Sequence, residues 1–121
     1  MASTPPDLLV SIRHEGEVAV IDLDDGKANA LGSDVIEALI DAFDKLEGVG
    51  SVVLAGRPDR FSAGFDLNTM GSGPDAAREM LRRGVDLFLR MYLFPRPIVA
   101  ACTGHALAAG AILLMCSDLR I

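Results

Sequence analysis

The stretch RFSAGFDL, residues 60–67, holds the most informative candidate residues of this 121-residue chain. It follows a strand-like segment, SVVLAG at residues 51–56, and precedes a predicted helix. Ser62 lacks the glycine two positions earlier that a nucleophile elbow requires, so we expect its hydroxyl to be structural. The side chains of this stretch therefore predict no serine nucleophile.

Backbone amides are the more promising groups. Gly64 permits a sharp turn, so the N–H of Phe65 can point away from a strand ladder. In LAAGA, residues 107–111, small residues begin a predicted helix, whose first N–H groups lack intrahelical partners at the positive end of the helix dipole. If two such amides converge on one carbonyl oxygen, they form an oxyanion hole. The alternative at this point is that glycine and alanine only permit close packing of helix on sheet.

The histidines and cysteines offer little further chemistry. His14 lies in a predicted hairpin turn, where we expect it to be solvated, and His105 follows a predicted buried strand, where a structural role is expected. Cys102 and Cys116 lack metal-ligand spacing, so no zinc or other metal site is expected. Both cysteines are expected to be buried free thiols in a reducing cytosol.

Composition limits the class of protein. Half of the residues are hydrophobic and the formal net charge is -6, which fits one soluble globular domain or part of one. The acidic balance argues against a nucleic-acid partner, and the arginines at 78, 82 and 83 are expected on a solvated helix face. No apolar run reaches the ~18 residues of a membrane span, and the first residues lack signal-peptide features. A cytoplasmic location without a membrane partner is expected.

Apolar periodicity predicts strands and helices in alternation. Residues 8–13 and 17–25 form a predicted hairpin around residues 14–16, with Val18, Val20 and Asp22 on one face. A helix is predicted from a cap at Ser33 or Asp34 to about Leu46, with Gly48 as its stop. Its predicted apolar face comprises Ile36, Leu39, Ile40, Phe43 and Leu46.

The second half of the chain continues this alternation. A buried strand is predicted at residues 51–56, and a helix at 75–93 is ended by Pro95 and Pro97. The predicted core stripe of that helix is Ala77, Met80, Leu81, Val85, Phe88, Leu89 and Tyr92. Residues 98–102 are predicted to be a strand buried on both faces, 103–105 a turn, 109–116 a helix, and a strand begins at 118. The pattern indicates an α/β fold with a sheet covered by helices.

Three segments in this order, GKANALGSDVIEAL, GRPDRFSAGFDL and PIVAACTGHALAAGAILLMCSDLRI, resemble the enoyl-CoA hydratase/isomerase family of the crotonase superfamily. The resemblance implies a crotonase-like (ClpP/crotonase) spiral of ββα units. Residues 1–7 are expected to be a flexible tail. The resemblance implies that 8–121 are the N-terminal part of one core domain, whose C-terminal part is absent. It further implies an enzyme of fatty acid metabolism that is a homotrimer or hexamer when intact. The implied substrate is an acyl-CoA thioester, with coenzyme A as part of the substrate and no separate cofactor.

In the resembled family, two backbone N–H groups hold an enolate-like intermediate. Carried over by position, these belong to Phe65 and Ala109. The resemblance also places the backbone near six residues along the CoA moiety. These are Ala28, Ala30, Ser62, Ala63, Asp66 and Leu67.

One departure affects the expected chemistry. Hydratases of the family usually carry GGGCE where this chain has AAGAI, so Ile112 occupies the first catalytic glutamate position. Isoleucine can neither orient water nor transfer a proton, and the family's second carboxylate lies beyond Ile121. The expectation therefore favours isomerase-type or otherwise atypical chemistry over hydration. A noncatalytic acyl-CoA-binding relative and a structural domain with packing turns remain alternatives, and it stays open whether this chain is active by itself.

Overall fold

The computed structural model describes residues 9–121. In chain order its strands are β1 Val10–Glu15, β2 Val18–Leu23, β3 Ala30–Leu31, β4 Ser51–Ala55, β5 Asp59–Ser62, β6 Gly64–Phe65, β7 Ile98–Ala101, β8 Gly104–Ala106 and β9 Leu119–Arg120. Its helices are α1 Ser33–Lys45, α2 Leu67–Met70, α3 Pro74–Tyr92 and α4 Ala109–Met115. The predicted tail at residues 1–7 lies outside the described residues.

A five-stranded sheet in the order β1-β2-β4-β7-β9 forms the base of the fold. Strands β1 and β2 are antiparallel, and each later neighbouring pair is parallel. The short strands form two further parallel pairs, β3 with β6 and β5 with β8. Strands β2, β4 and β7 of the large sheet are each followed by one or more short strands and then by a helix. The chain is thus a succession of ββα units, which confirms the predicted α/β alternation.

The predicted hairpin is confirmed, and the main core lies on the face of β2 opposite to that of Val18, Val20 and Asp22. Ala19, Ile21 and Leu23 are fully or almost fully buried in the principal cluster, because successive side chains of a strand point to opposite faces. On the other face Val20 is also buried. His14 is exposed as expected, but it lies in β1 and not in the turn.

Helix α1 is confirmed, with a corrected start. All five residues of its predicted apolar face are buried. The N-cap, however, is Gly32 and not Ser33 or Asp34, because Gly32 has an extended backbone and its carbonyl oxygen accepts the N–H of Ile36 at 2.9 Å. No side chain caps this end, so Ser33 and Asp34 are exposed residues of the first turn.

Helix α3 is confirmed, but its predicted core stripe is only partly right, since Met80 is buried and Phe88 packs against the core while most of the other predicted residues do not. The residues that it buries are Met80, Gly84, Leu87 and Met91. Those that it exposes include Leu81, Val85, Leu89 and Tyr92, between 39% and 75% accessible. The buried and the exposed stripe lie next to each other on the helix. The buried stripe includes Gly84, which lowers its mean hydropathy, so the hydropathy pattern predicts the exposed stripe as the core face. Of the three arginines, Arg83 is not simply solvated, since it donates hydrogen bonds to both carboxylate oxygens of Glu37 on α1, at 2.6 and 2.8 Å.

The C-terminal third needs three corrections. Strand β7 buries Ile98 and Ala100, while its other face is only half-buried. Strand β8, Gly104–Ala106, overlaps the predicted turn at 103–105. Its Gly104 lies so close to β5 that a Cβ atom there would be 2.0 Å from the carbonyl carbon of Asp59. Cys102 is exposed and not buried, because it lies just beyond the end of β7.

The oxidation state of the cysteines and the last two elements of this region agree with the predictions. Cys102 and Cys116 are both free, and burial raises the pKa of the Cys116 thiol. Helix α4 and the strand after it are confirmed within a residue. Among residues 9–121, no helix is both long and apolar enough to cross a bilayer. Over the same residues, no three His, Cys, Asp or Glu side chains are grouped to hold a metal ion.

Two leucines of α3 test the corrected orientation of the helix. Leu87 is fully buried and Leu89 is 52% exposed, so Leu87→Ala should lower the free energy of unfolding of this chain by about 2–5 kcal/mol. Leu89→Ala, the matched control, should lower it by less than about 1 kcal/mol. Chemical denaturation of both variants measures the difference, and equal losses would contradict the described packing of α3.

Candidate functional site

The two turns predicted to present backbone amides lie against each other. Gly64 has a φ of +94°, a left-handed conformation that glycine adopts without strain. A Cβ atom at Gly64 would lie 3.1 Å from the amide nitrogen of Ala109 and 2.9 Å from the carbonyl oxygen of Leu107. The turn that precedes Phe65 is therefore packed directly on the first residue of α4.

The N–H of Phe65 faces away from the strand with which β6 pairs. On either side of it, the N–H of Gly64 donates to Ser62 Oγ at 3.2 Å and the N–H of Asp66 donates to the carbonyl oxygen of Leu31 in β3 at 3.1 Å. Peptide groups alternate in direction along extended backbone, so the intervening Phe65 N–H points to the other side. Within residues 9–121, β6 pairs only with β3, so this N–H lies on a strand edge without a ladder partner.

The N–H of Ala109 is available for a different reason. Ala109 is the first residue of α4, and the first N–H groups of a helix have no intrahelical acceptor. The preceding Ala108 has φ +50° and ψ -118°, a conformation that costs an L-residue on the order of 1–3 kcal/mol. The neighbouring amides are engaged, since the N–H of Gly110 donates to the carbonyl oxygen of Leu107 at 2.8 Å and that of Ile112 to Ala108 at 3.1 Å.

Close packing also explains part of the glycine pattern. A Cβ atom at Gly110 would lie 2.3 Å from the carbonyl oxygen of Ser62, a distance that no side chain tolerates. Gly110 is therefore needed for the approach of α4 to β5, as the packing alternative proposed. Gly64 differs, because its close neighbours include the amide nitrogen of Ala109, which is a hydrogen-bond donor, as well as a carbonyl oxygen.

Ser62 links the segments that form the site. Its side chain is fully buried, and its hydroxyl donates to the carbonyl oxygen of Asn29 at 2.8 Å and accepts the N–H of Gly64 at 3.2 Å. Its own carbonyl oxygen accepts the N–H of Leu107 at 3.0 Å. The hydroxyl proton is thus engaged in a structural bond, in line with the structural role expected for Ser62.

Asn29 is a buried residue of this region that the sequence reasoning missed. It has φ +56°, and its side-chain amide donates to the carbonyl oxygens of Leu23 at 2.8 Å and Phe61 at 3.1 Å. Its side-chain oxygen accepts the N–H of Asp25 at 3.0 Å. An asparagine between two alanines in the turn-rich segment DDGKANALG was the available signal, because asparagine visits the left-handed region more readily than most residues.

The residues predicted to line the CoA moiety lie beside these turns. Ala63 donates its N–H to the carbonyl oxygen of Ala28 at 3.0 Å, and Ala30 is paired with Gly64 across β3 and β6. Ala63 is exposed, whereas Ala28 and Ala30 are half-buried. The structure therefore brings these backbone segments together, with Ser62 buried beneath them.

Asp66 and Leu67 begin α2 at the end of this band. The Asp66 carboxylate caps the helix by accepting the hydroxyl of Thr69 at 2.7 Å and its N–H at 3.1 Å. The Thr69 hydroxyl, and secondarily the backbone N–H, lowers the pKa of Asp66, so the cap is ionised at neutral pH. Leu67 is 81% exposed. Asp66 thus fixes the chain just after Phe65.

Ile112 and His105 are the remaining candidates. Ile112 follows Ala109 by one helical turn on α4 and is 39% exposed, and His105 is exposed on β8. An open groove of ≈ 510 Å³ lies between α1 and the end of α3, lined by residues that include Phe43, Arg83 and Leu93. The two turns do not line this groove.

Comparison with known proteins identifies the family. A family model for enoyl-CoA hydratase/isomerase matches residues 13–121. The chain belongs to this family. It is 41% identical over 115 residues to a putative enoyl-CoA hydratase of Thermus thermophilus. The aligned region covers 88% of this chain and 46% of that protein.

Solved structures agree on the fold. A crystal structure of an enoyl-CoA hydratase/isomerase family protein from Pseudomonas syringae matches with a TM-score of 0.92 at 40% identity, over 95% of this chain and 50% of that one. A Mycobacterium tuberculosis protein is called an enoyl-CoA isomerase in one structure, with a TM-score of 0.87, 45% identity and coverage of 93% and 50%. The same protein is called a probable enoyl-CoA hydratase in another structure, with a TM-score of 0.89 and 46% identity over 93% and 49%.

These matches confirm the crotonase fold that the resemblance implied. The chain spans about half the length of the relatives it matches. The matched part contains all three of the segments that carried the resemblance.

The structural role of Ser62 can be tested against a second buried serine. Ser62→Ala removes the bonds to Asn29 and Gly64 in a buried site, so the free energy of unfolding should fall by about 1–3 kcal/mol. Ser117 donates only to the carbonyl oxygen of Leu113 four residues earlier, at 3.0 Å, and Ser117→Ala should change stability by less than about 1 kcal/mol. Chemical denaturation of the two variants measures the contrast. A smaller loss for Ser62→Ala than for Ser117→Ala would contradict the linking role.

Proposed function

We propose that this chain carries the thioester-binding part of an acyl-CoA-processing enzyme, in which the N–H groups of Phe65 and Ala109 stabilise an enolate. The observation that supports this proposal is the contact of the Gly64 turn with the amide nitrogen of Ala109. Because Phe65 follows Gly64 directly, this contact supports the proposal that its N–H and that of Ala109, neither with a ladder or helix partner among residues 9–121, act together. Membership of the enoyl-CoA hydratase/isomerase family supplies the substrate class.

Two such donors can stabilise negative charge that develops on a carbonyl oxygen during a reaction. Removal of a proton from the carbon next to a thioester carbonyl shifts negative charge onto that oxygen. Fixed N–H donors stabilise this charge without reorganising at the moment of reaction. The band formed by Ala28, Ala30, Ala63, Asp66 and Leu67, with Ser62 beneath it, would lie along the CoA moiety. In this proposal coenzyme A belongs to the substrate, and neither a separate cofactor nor a metal takes part.

Ile112 determines which reaction this chain favours. The side chain lies one turn after Ala109, and isoleucine has no group that can transfer a proton. Hydration of a double bond requires water to be activated and a proton to be delivered. Conversion of a 3-enoyl to a 2-enoyl thioester only removes a proton at one carbon and returns it at another, which one base can do. We therefore propose isomerase-type chemistry over hydration.

A noncatalytic acyl-CoA-binding protein is the second candidate, and the same residue favours it. With Ile112 in place of a carboxylate, the two amides can bind a thioester oxygen while no proton is transferred. Turnover of any enoyl-CoA by the natural gene product distinguishes the enzyme from the binder. A homotrimer or hexamer and a cytoplasmic location stay predictions.

The Phe65 amide can be tested by removing its hydrogen. Phe65→Pro deletes the N–H, whereas Phe65→Ala keeps it and removes only the ring. In the natural gene product Phe65→Pro should lower kcat by ~10²-fold or more, the effect of losing one oxyanion donor. Phe65→Ala should lower kcat much less. Both variants must keep the circular dichroism spectrum and the oligomeric size of the parent for their kcat values to be compared. A folded Phe65→Pro variant with full turnover would refute the proposal.

Substrate choice tests the role assigned to Ile112. The natural gene product should interconvert 3-enoyl-CoA and 2-enoyl-CoA faster than it hydrates 2-enoyl-CoA, because only the first reaction needs a single base. Initial rates for both reactions, measured with one acyl chain length, give the ratio. Efficient hydration by the unmodified protein would show that another group replaces the missing carboxylate. Ile112→Glu should raise hydration if the added carboxyl ionises, and burial would instead keep it protonated.

A further inference from the structure

We propose that Gly84, in the middle of α3, is a positioning residue that fixes the direction of the Phe65 N–H. The inference rests on the proposed function, because it matters for catalysis only if that amide binds the thioester oxygen. It concerns a residue far from Phe65 in sequence and on a different element. Gly84 acts through the aromatic ring of Phe65 and does not itself touch the substrate.

The presence of a glycine at this position needs a reason. Gly84 is buried within the 19-residue helix α3, where glycine costs about 1 kcal/mol relative to alanine. A Cβ atom at Gly84 would lie 2.5 Å from Cε1 and 2.6 Å from Cζ of Phe65. Even the smallest side chain would therefore overlap the ring, so the glycine makes a notch that the ring occupies.

Two further side chains flank the notch. The ring of Phe88, one turn further along α3, lies 6.1 Å from that of Phe65 between centroids, at an interplanar angle of 55°. Cδ1 of Ile36 on α1 would lie 3.9 Å from a Cβ atom at Gly84. With Phe88 beside the ring and Ile36 beside position 84, an added methyl group and the Phe65 ring would compete for the same space.

Displacement of the Phe65 ring moves the backbone of Phe65. Ordinary contact between carbon atoms is about 3.5–4.0 Å, so a methyl at Gly84 would push the ring by about 1 Å. The neighbours of Phe65 are both held, Gly64 by Ser62 Oγ and Asp66 by the carbonyl oxygen of Leu31. The movement is therefore taken up by rotation of the Phe65 peptide, which turns its N–H away from that of Ala109.

A double-mutant cycle in the natural gene product tests the proposal. Gly84→Ala should lower kcat for enoyl-CoA by about tenfold with little change in KM, since a small misplacement of a catalytic group is costly. In the Phe65→Ala background, where no ring fills the notch, Gly84→Ala should leave kcat unchanged. Gly48→Ala is the matched control, because a Cβ atom there meets nothing within 4 Å, and it should leave kcat at the parent value.

The cycle separates positioning from packing. Full kcat in a folded Gly84→Ala variant, or the same loss with and without the Phe65 ring, would overturn the proposal. If Gly84→Ala fails to fold, the double variant Phe65→Ala/Gly84→Ala decides. Recovery of folding in that variant supports the notch, and failure to recover overturns it.

Failure of the proposed function has a different signature. A parent protein that neither binds acyl-CoA nor turns over enoyl-CoA contradicts that function, and with it the catalytic effect of Gly84. The contact itself is then decided by thermal unfolding. Gly84→Ala should lower Tm in the parent and raise it in the Phe65→Ala background, because only helix propensity remains there. A rise in both backgrounds would show that the ring does not constrain position 84.

Discussion

The buried hydrogen bonds of Ser62 are the interaction on which the rest of the site depends. The hydroxyl joins the carbonyl oxygen of Asn29 to the N–H of Gly64, and the Ser62 carbonyl oxygen holds the N–H of Leu107. These partners belong to the loop before β3, the turn before Phe65 and the segment before α4. A buried polar group is stabilising only when its bonds are satisfied, so one relative arrangement of the three segments is selected. That arrangement packs the Gly64 turn on the first residue of α4.

Three glycines, which have no side chain, impose the second constraint on the packing around the site. Gly64, Gly84 and Gly110 each lie where a Cβ atom would overlap a neighbour, which is the Leu107 carbonyl oxygen, the Phe65 ring and the Ser62 carbonyl oxygen respectively. Interiors packed at this density transmit small changes of volume to their neighbours. The glycines therefore determine how closely α3, α4 and the β6 turn approach one another. A site built from backbone donors is sensitive to this spacing, because its N–H groups cannot adjust by a change of rotamer.

Much of the fold could be predicted because the spacing of apolar residues along the chain reflects which side of a helix or strand is buried. The hairpin, α1, α3 and α4 were all found in this way, as was the strand after α4. Most of the core face of α3 could not be predicted, since its buried stripe runs through Gly84 and a glycine adds nothing to a hydropathy pattern. Strand β8 was missed for a related reason, because it depends on the contact of Gly104 with Asp59, residues that are distant in sequence.

The candidate site could also be predicted only in part from the sequence. The turn at Gly64 and the helix start at Ala109 could be proposed from small residues near predicted strand and helix ends, and the resemblance to the family paired them. Their contact is a tertiary fact that no local pattern contains. The role of Asn29 was also beyond local reasoning, since its amide is satisfied by carbonyl groups of β2 and β5.

The most direct test is to observe the two amides while a carbonyl oxygen binds. The natural gene product, labelled with ¹⁵N, is titrated with a 2-oxoalkyl-CoA, a thioether that keeps a carbonyl group, and separately with an alkyl-CoA of equal length that lacks it. The N–H proton resonances of both Phe65 and Ala109 should move downfield with the first ligand and stay in place with the second. Movement of neither resonance, or of only one, with the carbonyl ligand would contradict a two-amide oxyanion hole.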